Sequence, residues 1–136
     1  MELVVVTGEG RAAPWVDAAC ADWGKRIERH FPFRIVERMP KTGPRARVVV
    51  LDERGDERTS EGFSALLEEA IRVSAHPLIF VIGGPYGVDA EIAGTAWKTL
   101  RLSTLVMNHA VARVVLVEQL YRACSIRAGS PYHHGG

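Results

Sequence analysis

Residues 78–87 read Leu-Ile-Phe-Val-Ile-Gly-Gly-Pro-Tyr-Gly, an unbroken apolar run followed by a glycine-rich turn. A strand with one wet face alternates apolar and polar residues. A continuous run is instead the pattern of a strand covered on both sides, as in the middle of a parallel sheet. Gly83 and Gly84 let the backbone approach a ligand closely and Pro85 stiffens the turn, although the same tripeptide also describes an ordinary tight turn.

Working outward, Leu3–Thr7 is a short apolar strand ended by Gly8-Glu9-Gly10. Pro14 suits the first turn of a helix, and Val16, Ala19, Cys20, Trp23 and Ile27 recur at helical spacing before Pro32. Phe33–Val36 and Val48–Leu51 are further strands, joined by a stretch from Arg38 to Pro44 too broken for a helix. The charged run Asp52–Arg58 precedes a helix that Ser60 can cap and that ends near Ala75, with Phe63, Leu66, Leu67, Ala70 and Ile71 on one face. Asp89 can cap a short helix to Lys98, Leu102–Met107 is strand-like, and Ala110 to about Arg127 forms a long last helix.

This alternation predicts a single α/β domain over residues 1–136, with a parallel sheet and helices on both faces. Ligands of such sheets gather beyond the carboxyl ends of the strands. Leu51, Gly83 and Met107 mark such ends, so the candidate site lies where they converge.

No apolar stretch among the 136 residues approaches the ~20 needed to span a bilayer, and the first residues lack a secretory pattern. A cytoplasmic protein without membrane contact is expected. Cys20 and Cys124, the two cysteines, stand in helix-like segments at no metal or redox spacing and read as buried thiols. The near-neutral net charge of +1 conceals a basic block of Lys25, Arg26, Arg29, Arg34, Arg38, Lys41, Arg45 and Arg47, opposed there only by Glu28 and Glu37. Such a block can attract phosphates, or can simply solvate a helix face.

In the last helix His109 and Arg113 share a face, whereas Arg113 and Arg122 point about 180° apart. Those two arginines cannot serve one site within one subunit. Glu118 and Arg122 form a favourable i, i+4 pair. Val111, Val114, Val115, Leu116, Val117, Leu120 and Tyr121 make more apolar surface than one sheet face hides, which suggests self-association. Tyr132, His133 and His134 follow Pro131 at a terminus that either frays or reaches a ligand or partner. No Cys or carboxylate accompanies the histidines at ligand spacing, so no metal is expected. Gly8-Glu9-Gly10-Arg11-Ala12-Ala13, with Glu37 further on, fits a loose dinucleotide fingerprint and keeps an NAD-binding Rossmann-like unit as an alternative.

Taken in order, Ile82-Gly83-Gly84-Pro85, the Leu-Ser-Thr-Leu run at Leu102, His109 with Arg113, Glu118-Gln119-Leu120-Tyr121-Arg122-Ala123 and Pro131-Tyr132-His133 closely resemble the RlmH family of ribosomal large-subunit pseudouridine methyltransferases. The match is dense from Leu78 to His133, with weaker support at Leu3–Gly8, Trp15 and Leu51-Asp52 with Gly55. The resemblance implies a SPOUT-class, trefoil-knotted homodimer that binds S-adenosylmethionine and methylates N3 of a pseudouridine in 23S rRNA of the assembled ribosome. It implies cofactor contacts at Leu51, Gly83, Leu102, Ser103, Thr104, Leu105, Val106 and Met107, and places His109, Arg122, Tyr132 and His133 near the reacting base. Tyr86, Asn108 and Cys124 depart from the family's usual residues, and the connection from Arg38 to Arg47 lacks roughly a helix. The alternatives are a knotted enzyme acting on another RNA such as tRNA, and a noncatalytic rRNA-binding assembly factor.

Overall fold

The fold is described from a computed structural model, which covers residues 1–73, 76–84 and 87–134. The expected end of the second long helix near Ala75, and Pro85 and Tyr86 of the glycine turn, lie outside the described residues. The elements run β1 (Leu3–Val6), α1 (Pro14–Ile27), β2 (Phe33–Val36), β3 (Arg47–Glu57), α2 (Ser60–Val73), β4 (Leu78–Ile82), α3 (Ala90–Gly94), β5 (Lys98–Arg101) and α4 (His109–Ala128).

The five strands form one sheet in the order β2-β1-β4-β3-β5, and every pairing is parallel. β4 sits centrally and all five of its residues are buried, as its uninterrupted apolar run requires. One face of the sheet, with Leu3, Val5, Val49, Leu51, Leu78, Phe80 and Ile82, packs against α1, α2 and α4. On the other face Val4, Val6, Val48, Val50, Ile79 and Val81 are covered by Ile92 of α3, Val88 and Ala96 around it, and Met39 and Ala46. Helices thus lie on both faces, three long ones against one short one. The irregular crossover of residues 37–46, which carries β2 past two strands to β3, supplies the rest of the thinner cover.

Several boundaries differ from those the sequence suggests, each for a local reason. β1 stops at Val6, and α1 stops at Ile27, where Glu28 and His30 close its last turn before Pro32. The cap of α2 is Thr59, whose Oγ1 accepts from the Gly62 N–H at 3.0 Å, not Ser60. α3 ends at Gly94, because Thr95 turns back to hydrogen-bond the Ile92 carbonyl through both N–H and Oγ1, and Lys98 then begins β5. β5 itself is Lys98–Arg101, and residues 102–107 form a loop rather than a strand. There Ser103 Oγ accepts from the Leu105 N–H at 3.0 Å, a side-chain turn that diverts the chain from the ladder. Finally, β3 continues through the charged run to Glu57: Leu51 and Asp56 both pair with Leu100, and residues 52–55 bulge between them.

Candidate functional site

At the carboxyl ends of β3 and β4 a cavity of about 700 Å³ opens between Leu51–Arg54, Ile82–Gly84 and the loop leading into α4. Its volume falls in the range of small-molecule sites. Chain connections run in opposite directions from β1 and β4, and the cavity opens beside that switch point, on its β3 side. Of the expected cofactor positions, Leu51, Gly83, Leu102, Ser103, Leu105, Val106 and Met107 line the cavity; Thr104 does not. Leu105 and Val106 are 76% and 85% exposed, an unusual cost for apolar side chains unless a ring or another subunit covers them.

The opposite wall was not among the residues expected at the site. Asp52, Glu53 and Arg54 line it, and Asp52 takes Arg54 Nε at 3.1 Å, Nη2 at 3.2 Å and the Arg54 N–H at 2.8 Å. Those hydrogen bonds hold the Asp52 carboxyl below the usual carboxylate range.

His109 opens α4 and also lines the cavity. Asn108 fixes that helix end as its N-cap, its Oδ1 accepting from the Ala110 N–H at 2.8 Å. Burial pushes the His109 imidazole below its ordinary 6.5, the Arg113 guanidinium adds to this, and a hydrogen bond to the Thr7 backbone opposes it. Because the folded value lies below the unfolded one, its contribution to stability is complete above pH 6.5 and is lost as pH falls through the folded value. Urea unfolding followed across that interval is expected to show wild-type stability dropping with acidification more steeply than that of His109→Asn; parallel curves would contradict it.

Thr7 also lines a second, larger groove of about 910 Å³ between α1 and β2, where Arg11, Lys25 and Arg113 stand on the wall with no carboxylate partner among the described residues. The Nε of Arg113 is buried without a hydrogen bond. The dinucleotide-like glycines Gly8 and Gly10 take φ of 80° and 121°, and Gly10 lines this groove. The helix that follows begins at Pro14 without a side-chain cap, however, and proline has no N–H for a pyrophosphate.

The remaining expected residues gather elsewhere. Arg122, Tyr132 and His133 meet at the far end of α4, where Arg122 Nε and Nη2 donate to Glu118 Oε1 at 2.9 and 2.6 Å, and Tyr132 Oη donates to the same oxygen at 3.1 Å. The Arg122 guanidinium lies over the Tyr132 ring at 4.8 Å, and His133 Nε2 stands 2.7 Å from Glu61 Oε1. Thirteen residues of helix separate His109 from Arg122, about 20 Å. One chain therefore holds the histidine at the cavity and the arginine cluster well away from it. Cys20 and Cys124 are free and buried, and burial pushes the Cys124 thiol up to about 11 and that of Cys20 upward, so neither is a ready nucleophile.

Residues 36–133 match the family described as "Predicted SPOUT methyltransferase". The chain belongs to the SPOUT methyltransferase family. Ribosomal RNA large subunit methyltransferase H of Variovorax paradoxus (strain S110) is 37% identical over 156 aligned positions, covering 98% of this chain and 99% of that protein. The protein of the same name from Solidesulfovibrio magneticus is 37% identical over 150 positions, covering 96% and 97%. That from Geobacter sulfurreducens is 34% identical over 139 positions, covering 88% and 91%. The first alignment is longer than this chain, so that SPOUT relative carries residues with no counterpart here.

Within this SPOUT methyltransferase the basic block is partly neutralised. Arg26 pairs with Asp22 at 3.5 Å, Arg34 with Glu2 at 3.0 Å and Arg38 with Glu9 at 2.6 Å. These are surface pairs, each worth little, so an RNA phosphate can displace the carboxylate at small cost.

Proposed function

We propose that this chain is an S-adenosylmethionine-dependent methyltransferase that acts as a homodimer on N3 of a pseudouridine in 23S rRNA of the large ribosomal subunit. The observation that carries the reading is the cavity at the strand ends, walled by the exposed Leu105 and Val106 and adjoining, across the contact between His109 and Thr7, a groove that carries Arg11, Lys25 and Arg113. Such a shape suits an adenine ring on the apolar loop with polar groups held by backbone at Gly83 and residues 102–107. The trefoil knot that the resemblance implies belongs to the same proposal, with the 102–107 loop drawn against residues 51–54.

When bound, the donor supplies a methyl group already made electrophilic by its sulfonium. The protein's task is alignment and removal of one proton. His109 is held by the Thr7 backbone through one ring position and is kept unprotonated at neutral pH, so its other ring nitrogen is free to accept the N3 proton. Arg122 has five N–H donors, of which Glu118 takes two and His133 one, leaving two to hold negative charge developing on a base. The exposed Leu105, Val106, Val111 and Trp15 give a second copy an apolar surface to cover.

Labelled donor incubated with ribosomes, free rRNA and tRNA, followed by mapping of the methyl group, tests the assignment. Methylation of a pseudouridine in the large-subunit rRNA of the ribosome is expected. Label confined to tRNA would redirect the enzyme to another RNA, binding without transfer would leave a noncatalytic factor, and calorimetric binding of NAD alone would point to a nicotinamide unit.

A further inference from the structure

Glu118 lies half-buried in the middle of α4, one turn before Arg122, and both of its carboxylate oxygens accept hydrogen bonds. Oε1 accepts from Arg122 twice and from Tyr132, and Oε2 accepts from Gln119 Nε2 at 2.9 Å. Gln119 Oε1 in turn accepts from Ser60 Oγ at 2.7 Å, at the first residue of α2. The next residue of α2, Glu61, meets His133 Nε2, and His133 Nδ1 returns to Arg122 Nη1 at 3.1 Å. The contacts close a ring that ties α2, α4 and the C-terminal tail together. Tyr132 is further held edge-on against Tyr121, with ring centres 4.7 Å apart.

The ring fixes more than position. A guanidinium N–H can only donate, so the His133 Nδ1 facing Arg122 accepts and carries no proton. A carboxylate can only accept, so the Nε2 facing Glu61 carries the proton and donates. Both nitrogens of His133 are then committed, and neither has a lone pair to receive a proton from a substrate. Burial and the neighbouring Glu118 carboxylate also push the Tyr132 phenol upward, keeping it a donor.

We propose that Glu118 is a positioning residue that, through this ring, aims Arg122 and Tyr132 and locks His133 as the Nε2–H tautomer, leaving the proton-accepting role to His109. This rests on the methyltransferase reading for its catalytic meaning, while the tautomer itself is a property of the folded chain. The alternative that such a carboxylate merely ties helices together predicts loss of stability without any change in chemistry.

The test uses the full chain labelled with ¹⁵N-histidine, His133 being assigned by its absence in His133→Asn. Expected in the wild type is a His133 protonated at Nε2 and bare at Nδ1. Glu118→Gln, which keeps the shape but weakens the hold on Arg122, is expected to disturb that signature and to lower kcat for ribosome methylation by about 10²-fold, with donor affinity within about twofold. Glu118→Asp should fall between. A wild-type His133 with its proton on Nδ1, or a Glu118→Gln protein with unchanged signature and kcat, overturns the proposal. Should Glu118→Gln not fold, Glu61→Gln opens the ring from its exposed side and must disturb the same signature. If the wild type transfers no methyl group to ribosomes, the functional reading fails, and the tautomer still decides the ring on its own.

Discussion

Two variants that are each inactive, His109→Ala and Arg122→Ala, are expected to regain methyl transfer when mixed. The two side chains belong to one helix whose rise separates them by about 20 Å, far beyond the reach of a single substrate base. His109 is fixed at the cofactor cavity by the Asn108 cap and the Thr7 backbone. Arg122 is equally fixed at the other end by Glu118 and His133. Neither can swing to the other without breaking these contacts, so under the proposed function a complete site takes His109 from one subunit and Arg122 from its partner. In a two-fold dimer, random exchange makes half the molecules mixed, and each mixed dimer carries one intact site and one doubly damaged site. Recovery of about one quarter of wild-type activity follows from this counting. Each variant alone should lose about 10² to 10⁴-fold in kcat, the range for removing a proton acceptor or a charge-stabilising donor. Donor binding should persist in Arg122→Ala, because Arg122 does not line the cavity. Mixtures that stay inactive after confirmed subunit exchange would show that both residues serve the same subunit's site, or that one serves none.

The separation of Arg113 from Arg122 was legible in the sequence. The nine-residue spacing of Arg113 and Arg122 places them on opposite sides of a helix, and the structure does set one in the α1–β2 groove and the other at the tail. The central strand was legible because burial on both faces leaves a run of five apolar residues with no polar interruption. What could not be read locally was decided by distant partners. Asp52–Glu57 is charged and looks like a loop, yet it extends β3 because β5, more than forty residues later, pairs with it on both sides of a bulge. Leu102–Met107 looks like a strand on composition and is not one, because the ladder ends at Arg101 and Ser103 turns the chain. The apolar Leu105 and Val106 there stand exposed at the cavity rather than in a core. Glu61 gave no signal at all: its significance comes from His133, seventy-two positions away.

That bulge leads to the largest stability effect expected of a single methyl group. A Cβ added at Gly55 would stand 2.6 to 2.8 Å from the Leu100 N, Cα and C atoms, all of them backbone in the middle of β5. A side chain in the way could rotate; paired backbone cannot, and Leu100 is hydrogen-bonded to β3 on both sides of the bulge. Overpacking of this kind costs about 1–3 kcal/mol where neighbours can give, and more where they cannot, so Gly55→Ala is expected to lose about 3 kcal/mol or more. For a domain of this size that lowers Tm by roughly 10 °C. β5 feeds directly into the 102–107 loop, so any outward shift of Leu100 also moves Leu102, Leu105 and Val106 on the cavity wall. Donor affinity should therefore fall together with stability. Gly94→Ala supplies the control, since its Cβ would meet nothing within 4 Å and it lines neither cavity. If calorimetry found Gly55→Ala melting with the wild type and binding donor as well, the close crossing of residues 52–55 over β5 would be wrong.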